Sequence, residues 1–364
     1  MKTSASKGRY LILCPSTAGA DGISALSRLV IKTVAEYGRP LDVLSLNDQD
    51  GDVKSAYADI SIRIQGAGGS KARFITMAFS QALRKGCGTH IICLHLHLVP
   101  AALPLVWKGA RMTTMLCGIE AWKPLTAIQH LALRRSETLI AISEHTARRF
   151  RAVNPTSSTW PIHTCHLALS ARPSSNDGRK EGVNDLQLFA LIVGRMSQEE
   201  RYKGHDLLLE MWSSVLKELP EASLCVVGDG DDRFRLERKA ERLGIESRVT
   251  FTGKVSDETL EQLYRGCAFF IMPSRHEGFG LVFLEAMRAK KACIGGIGAA
   301  EEIVEAGVTG LIVNPDRPDE VLQATLRMFR EPEARERMGR SGAERFAQRF
   351  TEQHFQQRFR QFIG

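Results

Sequence analysis

Short, almost uninterrupted apolar runs recur along this chain, separated by stretches of helical period. In the first half the runs are YLILC at 10–14, LDVLSL at 41–46, THIICL at 89–94, MTTML at 112–116 and TLIAI at 138–142. Residues 26–37, 74–83 and 144–150 carry apolar side chains at helical spacing. Ser143 is placed to cap the last of these helices. Strand, helix and strand in succession imply a right-handed parallel crossover. Strands that are apolar almost throughout are buried on both faces, as in a doubly wound sheet.

A polar stretch, ARPSSNDGRKEG from 171, interrupts this rhythm with turn and linker chemistry. The alternation then restarts. Strand-like runs fall at 188–193, 223–228, 249–251, 269–273, 292–296 and 310–313, and helix-like stretches at 205–219, 234–243, 258–265 and 281–289. A length of 364 residues exceeds what one core usually supports. The expected architecture is therefore α/β, with two doubly wound, Rossmann-like domains facing across a cleft. They span 1–170 and 188–340, joined by a linker at 171–187. A C-terminal helix at 341–364 is a candidate to cross back to the first domain. The aromatic residues of this tail, Phe346, Phe350, Phe355, Phe359 and Phe362, recur near helical spacing and read as packing.

Composition narrows the setting. Hydrophobic residues make up 43% and charged residues 25%, an ordinary globular balance. No apolar run reaches the roughly 18–20 residues of a membrane span, and no secretory signal precedes the first strand. The eight cysteines form no C-x-x-C pair and mostly lie in apolar runs, which points to buried free thiols in a cytoplasmic protein. Residues 1–170 hold 20 Lys and Arg against 10 Asp and Glu, whereas 171–364 hold 29 against 31, so the net charge of +8 belongs to the first half. Such an excess suits either a solvated surface or a face for anionic lipid or a phosphate-bearing acceptor. The basic residues are dispersed without a nucleic-acid-binding signature, which argues against nucleic acid.

Two segments carry chemistry. In VGRMSQEERYKGHD, from 193, Gly194 permits a tight turn, and Arg195 and Lys203 set two cations at a strand end. A diphosphate leaving group needs cations there because negative charge grows on it as the bond breaks. In PSRHEGFGLVFLEAM, from 273, Glu277 sits in a loop that Gly278 and Gly280 allow to bend. A helix beginning near Gly280 would point its first amides at a phosphate. Glu285, among apolar neighbours on that helix, needs a partner such as a pair of ribose hydroxyls.

Together with Lys203-Gly204, Gly228-Asp229-Gly230, the Phe251–Gly253 segment and GVTGLIV from 307, these pieces closely resemble retaining glycosyltransferases of family 4, which have the GT-B fold. The resemblance spans roughly 188–315. It implies a UDP- or GDP-sugar as co-substrate, no cofactor and no metal; Asp229, Asp231 and Asp232 belong to the glycine-rich loop instead. It assigns the diphosphate to Arg195 and Lys203, the ribose to Glu285 and the donor sugar to Glu277, with Arg195, Lys203 and Glu277 as the catalytic set. Gly22, Gly194, Gly253, Val255, Gly278, Phe279, Gly280 and Leu281 complete the expected donor site, Gly253 to Val255 bordering the base.

The first half matches more weakly. Gly19 to Ile23 resembles the family's glycine loop. The segment LCGIEAW from 116 resembles a stretch that often begins with His, where this chain has Cys117. Cys117, Glu120 and His97 are the acceptor-side candidates. Alternation places His95 and His97 on one face of a strand, with no third metal ligand evident. The implied activity is retaining transfer of a hexose to a lipid-linked or saccharide acceptor, in exopolysaccharide or lipopolysaccharide assembly. The expected location is cytoplasmic, peripheral at the inner face of the plasma membrane. A GT-B epimerase or phosphorylase and a non-catalytic nucleotide-sugar-binding protein share the architecture and stay open.

Overall fold

The computed structural model describes residues 8–19, 21–50, 62–84, 88–170 and 188–363; the expected linker at 171–187 lies outside them. The chain divides into two compact units, Met1–Leu167 with Glu352–Gly364, and Ala168–Thr351.

The sheet of the first unit contains β1 (Arg9–Cys14), β2 (Leu41–Ser45), β3 (Arg63–Gly66), β4 (Thr89–Cys93), β5 (Arg111–Leu116), β6 (Thr138–Ala141) and β7 (Ile162–Thr164). Their order is β3-β2-β1-β4-β5-β6-β7, and every neighbouring pair is parallel. Helices α1 (Gly22–Ala35), α2 (Lys71–Arg84), α3 (Val99–Trp107), α4 (Ala127–Leu133) and α5 (Glu144–Val153) connect them. Ser143 caps α5 by accepting from the Thr146 N–H at 3.0 Å. The central strands β1, β2 and β4 are buried almost throughout, which is why they read as apolar runs.

The second unit has β8 (Phe189–Val193), β9 (Ser223–Val227), β10 (Val249–Gly253), β11 (Phe269–Met272), β12 (Cys293–Gly296) and β13 (Gly310–Val313), parallel and in the order β10-β9-β8-β11-β12-β13. Its helices are α6 (His205–Glu218), α7 (Arg233–Arg242), α8 (Asp257–Gly266), α9 (Leu281–Arg288), α10 (Ala300–Ile303), α11 (Pro318–Arg330) and α12 (Pro332–Arg349). Consecutive phenylalanines on β11 show how the layers are held. Phe269 meets Phe329 of α11 at 4.8 Å between ring centroids, and Phe270 meets Phe283 of α9 at 5.3 Å. Adjacent strand residues point to opposite faces, so the two rings pin helices to both sides of the sheet.

The last helix, α13 (Glu352–Ile363), packs in the first unit. Phe355 and Phe359 are fully buried and stack at 5.2 Å. Lys32 pairs with Glu352, and the Arg358 guanidinium donates to the His166 carbonyl at 3.1 Å. Phe350, just before this helix, is also fully buried but faces Phe279 in the second unit at 6.2 Å. The aromatic tail is thus shared between two cores. All described cysteines are buried and free.

Candidate functional site

The second sheet changes winding direction between β8 and β11. The loops leaving their carboxyl ends therefore flank the crevice where open α/β sheets take ligands.

The loop after β8 is zipped onto the loop after β9. Gly194 N donates to Val227 O at 2.9 Å, and Met196 N to Asp229 O at 3.0 Å. The approach is so close that a Cβ on Gly228, whose φ is +132°, would lie 2.1 Å from the Gly194 carbonyl oxygen. Glycine is required there on both counts. Lys203 folds back over Gly194, its Cδ 3.3 Å from where a side chain would begin. Gly204, in the left-handed region, then opens α6 with no side chain capping it.

Arg195 and Lys203 converge on one carboxylate, Glu200. The Arg195 fork donates to both carboxylate oxygens, at 3.1 and 2.5 Å, and Lys203 Nζ donates at 2.8 Å. Burial pushes the Glu200 carboxyl up, but the bonds from Arg195 and Lys203 outweigh it and hold the group below the usual carboxylate value. Beside them, His205 is buried with no hydrogen-bond partner on Nε2 among the described residues. Burial, reinforced by Lys203, pushes its pKa down to about 4, so it is neutral at physiological pH.

The loop after β11 meets this one directly: Arg275 N donates to Tyr202 O at 2.9 Å. Glu277 is half-buried. Burial raises its carboxyl above the ordinary range, against the opposing pull of Lys203 and of the Gly278 and Phe279 N–H groups, which its carboxylate accepts. Gly280 has φ +97° and caps α9 without a side-chain hydrogen bond; a Cβ there would lie 2.7 Å from the Phe283 ring. Leu281 and the residues after it therefore present helix-terminal amides with no capping side chain, a natural anion seat. On α9, one oxygen of Glu285 accepts from the Tyr264 hydroxyl at 2.9 Å. Tyr264 comes from α8 and is buried.

At the neighbouring strand end, Gly253 has φ +71°, and a Cβ there would strike the Arg233 guanidinium at 2.5 Å. Its carbonyl accepts from Gly228 N at 3.0 Å, and Val255 follows, half-buried. The second unit thus gathers Gly194, Arg195, Lys203, Glu277, Gly278, Phe279, Gly280, Leu281 and Glu285 around two adjoining loops, with Gly253 and Val255 bordering them. Glu200, Tyr264 and His205 are the participants that sequence reasoning missed. Glu200 stands inside the segment already singled out, and its position between the two cations was the available signal.

The first unit holds the other candidates at its own winding reversal, between β1 and β4. Gly22 opens α1, but Asp21 precedes it and its carboxylate accepts from the Ile23 and Ser24 N–H groups at 2.9 and 3.0 Å. Those amides already have an anionic partner. Asp48 holds the preceding loop by accepting from the Ser16, Thr17 and Ser45 hydroxyls and from Thr17 N. The placement of His95 and His97 on a strand needs correction. β4 stops at Cys93, and the pair sits in a short 3-10 turn where His95 Nδ1 accepts from His97 N at 3.3 Å. The turn puts Leu96 in the core and leaves His97 exposed. No third metal ligand joins them among the described residues.

Cys117 is buried, and its thiol donates to the Leu94 carbonyl at 3.1 Å. Burial, with Glu120 nearby, raises its pKa far above the free thiol, so it packs and does not attack. The Glu120 carboxylate accepts from Cys117 N at 2.6 Å and from the Gly118 and Glu120 N–H groups. Its present work is to fold its own loop.

Comparison with known proteins bears on the fold and the family. Residues 174–345 match the family model described as Glycosyl transferases group 1. An uncharacterized glycosyltransferase of Methanocaldococcus jannaschii is 34% identical over 173 residues, 47% of this chain and 42% of its own length. The alpha-D-kanosaminyltransferase of Streptomyces kanamyceticus is 31% identical over 163 residues, 44% of this chain and 41% of its own length. The match thus spans less than half of either relative. Among solved structures, Anabaena HepE in complex with UDP and glucose superposes with a TM-score of 0.77 at 18% identity, covering 97% of this chain and 98% of that one. Sucrose-phosphate synthase from Thermosynechococcus elongatus gives 0.76 at 18% identity, covering 97% and 98%. At such identities the likeness establishes the fold. The second half of this chain carries a Glycosyl transferases group 1 domain, on a chain with the fold of the GT-B glycosyltransferases.

Proposed function

We propose that the chain is a retaining, metal-independent hexosyltransferase that uses a UDP- or GDP-sugar. The observation that carries this reading is the convergence of two cations, an uncapped helix start and two carboxylates at the two central strand ends of the second unit. Arg195 and Lys203 would take the diphosphate, Arg by its fork and Lys as a point charge. The amides at the start of α9 would take the remaining phosphate oxygens. Glu277, held by the Gly278 and Phe279 amides, would accept from donor-sugar hydroxyls, and Glu285, oriented by Tyr264, from the ribose.

In the transfer, the bond between the anomeric carbon and the β-phosphate oxygen breaks. The acceptor hydroxyl oxygen bonds to that carbon from the same face, and its proton passes to the leaving phosphate oxygen. The products are a nucleoside diphosphate and the new glycoside. Cations at the phosphates stabilise the charge that develops on them. No protein nucleophile is assigned, because Cys117 is a suppressed thiol bonded to a carbonyl. The similarity of this chain to the GDP-mannose-dependent alpha-(1-6)-phosphatidylinositol monomannoside mannosyltransferase of Mycobacterium tuberculosis supports a lipid-linked acceptor and a peripheral membrane location.

The test is donor screening by thermal shift with UDP-, GDP- and ADP-sugars, followed by transfer assays on Glu277→Gln and Lys203→Ala. Both variants should lose at least about a hundredfold in transfer. Full activity in both removes the site assignment. Binding without transfer to any acceptor would instead favour a non-catalytic nucleotide-sugar-binding protein.

A further inference from the structure

Helix α2 is unusual in what it leaves outside. Phe74, Ala78 and Ala82 face the core, as helical spacing requires. About 100° further round the helix, Ile75, Phe79 and Leu83 stand four residues apart and are 57%, 50% and 66% exposed. They form a continuous apolar ridge, because residues at i and i+4 adjoin on a helix. Helix α3 packs against both α2 and α4. It ends in Trp107, 62% exposed, and the next residue, Lys108, donates to the Ala82 carbonyl at 3.0 Å. That bond ties the end of α3 to the last turn of α2. On α4, Ile128 and Leu131 are also exposed.

The charges around this face have one sign. Between residues 62 and 135 the sequence has ten Lys and Arg but a single acid, Glu120. Glu120 is engaged by its own loop amides. Among the described residues, Asp50 and Glu137, which lie to either side of that stretch, are paired with Arg73 and Arg111. Lys71, Lys108, Arg134 and Arg135 thus frame an exposed apolar ridge with a tryptophan at its edge. Scattered single apolar residues on a surface need no explanation, but a ridge of this kind does.

We infer that the face formed by α2, the end of α3 and α4 docks on an anionic lipid bilayer. Ile75, Phe79 and Leu83 enter the interface, Trp107 lies at the headgroup level, and the basic frame meets the lipid phosphates. Charge complementarity selects this occupant: a second copy of the chain would bring the same positive frame against itself. The inference gives a surface to the lipid-linked acceptor proposed above and rests on that reading for its purpose, but not for its test.

The full chain is mixed with vesicles of phosphatidylcholine alone and vesicles that also contain phosphatidylglycerol. Co-sedimentation and tryptophan emission are measured at low and high salt. The chain should bind the anionic vesicles, less so at high salt, and its emission should shift to the blue. In W107F most of the shift should vanish while sedimentation persists, because Trp122 and Trp212 are buried and Trp160 is half-buried against the core of the first unit. F79S/L83S should weaken binding roughly tenfold, and I128S/L131S should act in the same direction. All four altered side chains are 45% exposed or more, so both double variants should keep the wild-type melting temperature. Equal binding to neutral and anionic vesicles, or anionic binding that F79S/L83S leaves intact, overturns the inference. So does self-association in solution that F79S/L83S abolishes, since a second copy would then cover the ridge. Nucleotide-sugar binding in the same samples is read separately: its loss with vesicle binding retained tells against the transferase reading, not this one.

Discussion

Glu200 holds both cations that the proposed reading gives to the diphosphate, so replacing it tests that reading at its centre. In Glu200→Gln the carboxylate charge disappears and one of the two accepting oxygens becomes an NH2 donor, while the shape stays nearly the same. The carboxylate is held by the Arg195 fork and by Lys203 Nζ at 2.8 Å. The Arg195 side chain is 66% exposed, so its share is worth little, ~0.5 kcal/mol. Lys203 and Glu200 are 17% and 15% exposed, and a charge-assisted bond there is worth about 1.5–3 kcal/mol. On the proposed reading, a diphosphate would displace this internal anion before using either cation. Much of the displaced interaction is regained as contacts to phosphate, so removing the competitor should improve nucleotide affinity by roughly 1–2 kcal/mol, about five- to thirtyfold in Kd.

Calorimetric titration of UDP and GDP into both proteins at matched ionic strength measures this. The unliganded variant should meanwhile melt lower, because two cations have lost their partner. Lower stability without ligand and tighter nucleotide binding form a combination that a purely structural residue would not produce. If Glu200→Gln binds nucleotide more weakly than the wild type, the displacement argument is wrong, and Glu200 positions the cations in the bound state as well. Its depressed pKa means that it stays ionised throughout the neutral range, so the competition should not vary between pH 6 and 8 as a histidine-gated one would.

Other consequences are as direct. Tyr264→Phe removes the hydroxyl that orients Glu285; stability should fall by about 1 kcal/mol in urea titration, and nucleotide affinity should drop several-fold. Gly280→Ala forces a side chain into a φ of +97° and to 2.7 Å from the Phe283 ring, so it should cost about 1–3 kcal/mol. Gly244→Ala, with φ +67° and open space around it, should cost less and serves as the control. Burial opposes the ionisation of Asp206, but the bonds from Arg235 and Lys239 overcome it and bring its pKa down to about 2. A depressed carboxylate stabilises the folded state fully above its unfolded pKa and loses that contribution as pH falls from about 4 toward 2. Asp206→Asn should therefore remove up to about 2 kcal/mol at neutral pH and flatten the acid limb of the stability curve.

The parallel strands were legible because burial on both faces leaves almost no polar residue in them, as β1, β2, β4 and β9 show. The strands that escaped notice are the outermost of the first sheet, β3 and β7. β7 has only three residues, none fully buried, and pairs on one side only. Helix α3 was hidden by Pro100 and Pro104, which read as breakers, although Pro100 lies in the first turn where no N–H partner is lost. Helix α13 belongs to the first unit by contacts such as Arg358 to His166, and a stripe of phenylalanines cannot reveal which core it joins.

Local patterns disclosed where the candidate residues lie more readily than what holds them. The cations, the bent glycine loop and both acids could be placed from their spacing along strand–loop–helix units. What holds them could not, because the partner is distant in sequence or ambiguous in kind. Tyr264 reaches Glu285 from another helix, and Asp48 organises a loop thirty residues earlier. The segment from Gly19 to Ile23 shows the ambiguity most clearly. A glycine loop entering a helix reads as an open anion seat, but Asp is also a preferred N-cap. The structure resolves the choice locally: Asp21 fills the seat. The helix starts at Gly22 and at Gly280 are therefore unequal. The one at Gly22 already carries a covalently attached anion, while the one at Gly280 has no capping side chain. A phosphate approaching α1 would find its first amides already bonded to Asp21, whereas at α9 the Glu277 carboxylate is bonded to the Gly278 and Phe279 N–H groups, ahead of the helix, and the helix itself starts with no capping side chain; this difference supports placing the proposed donor on the second unit.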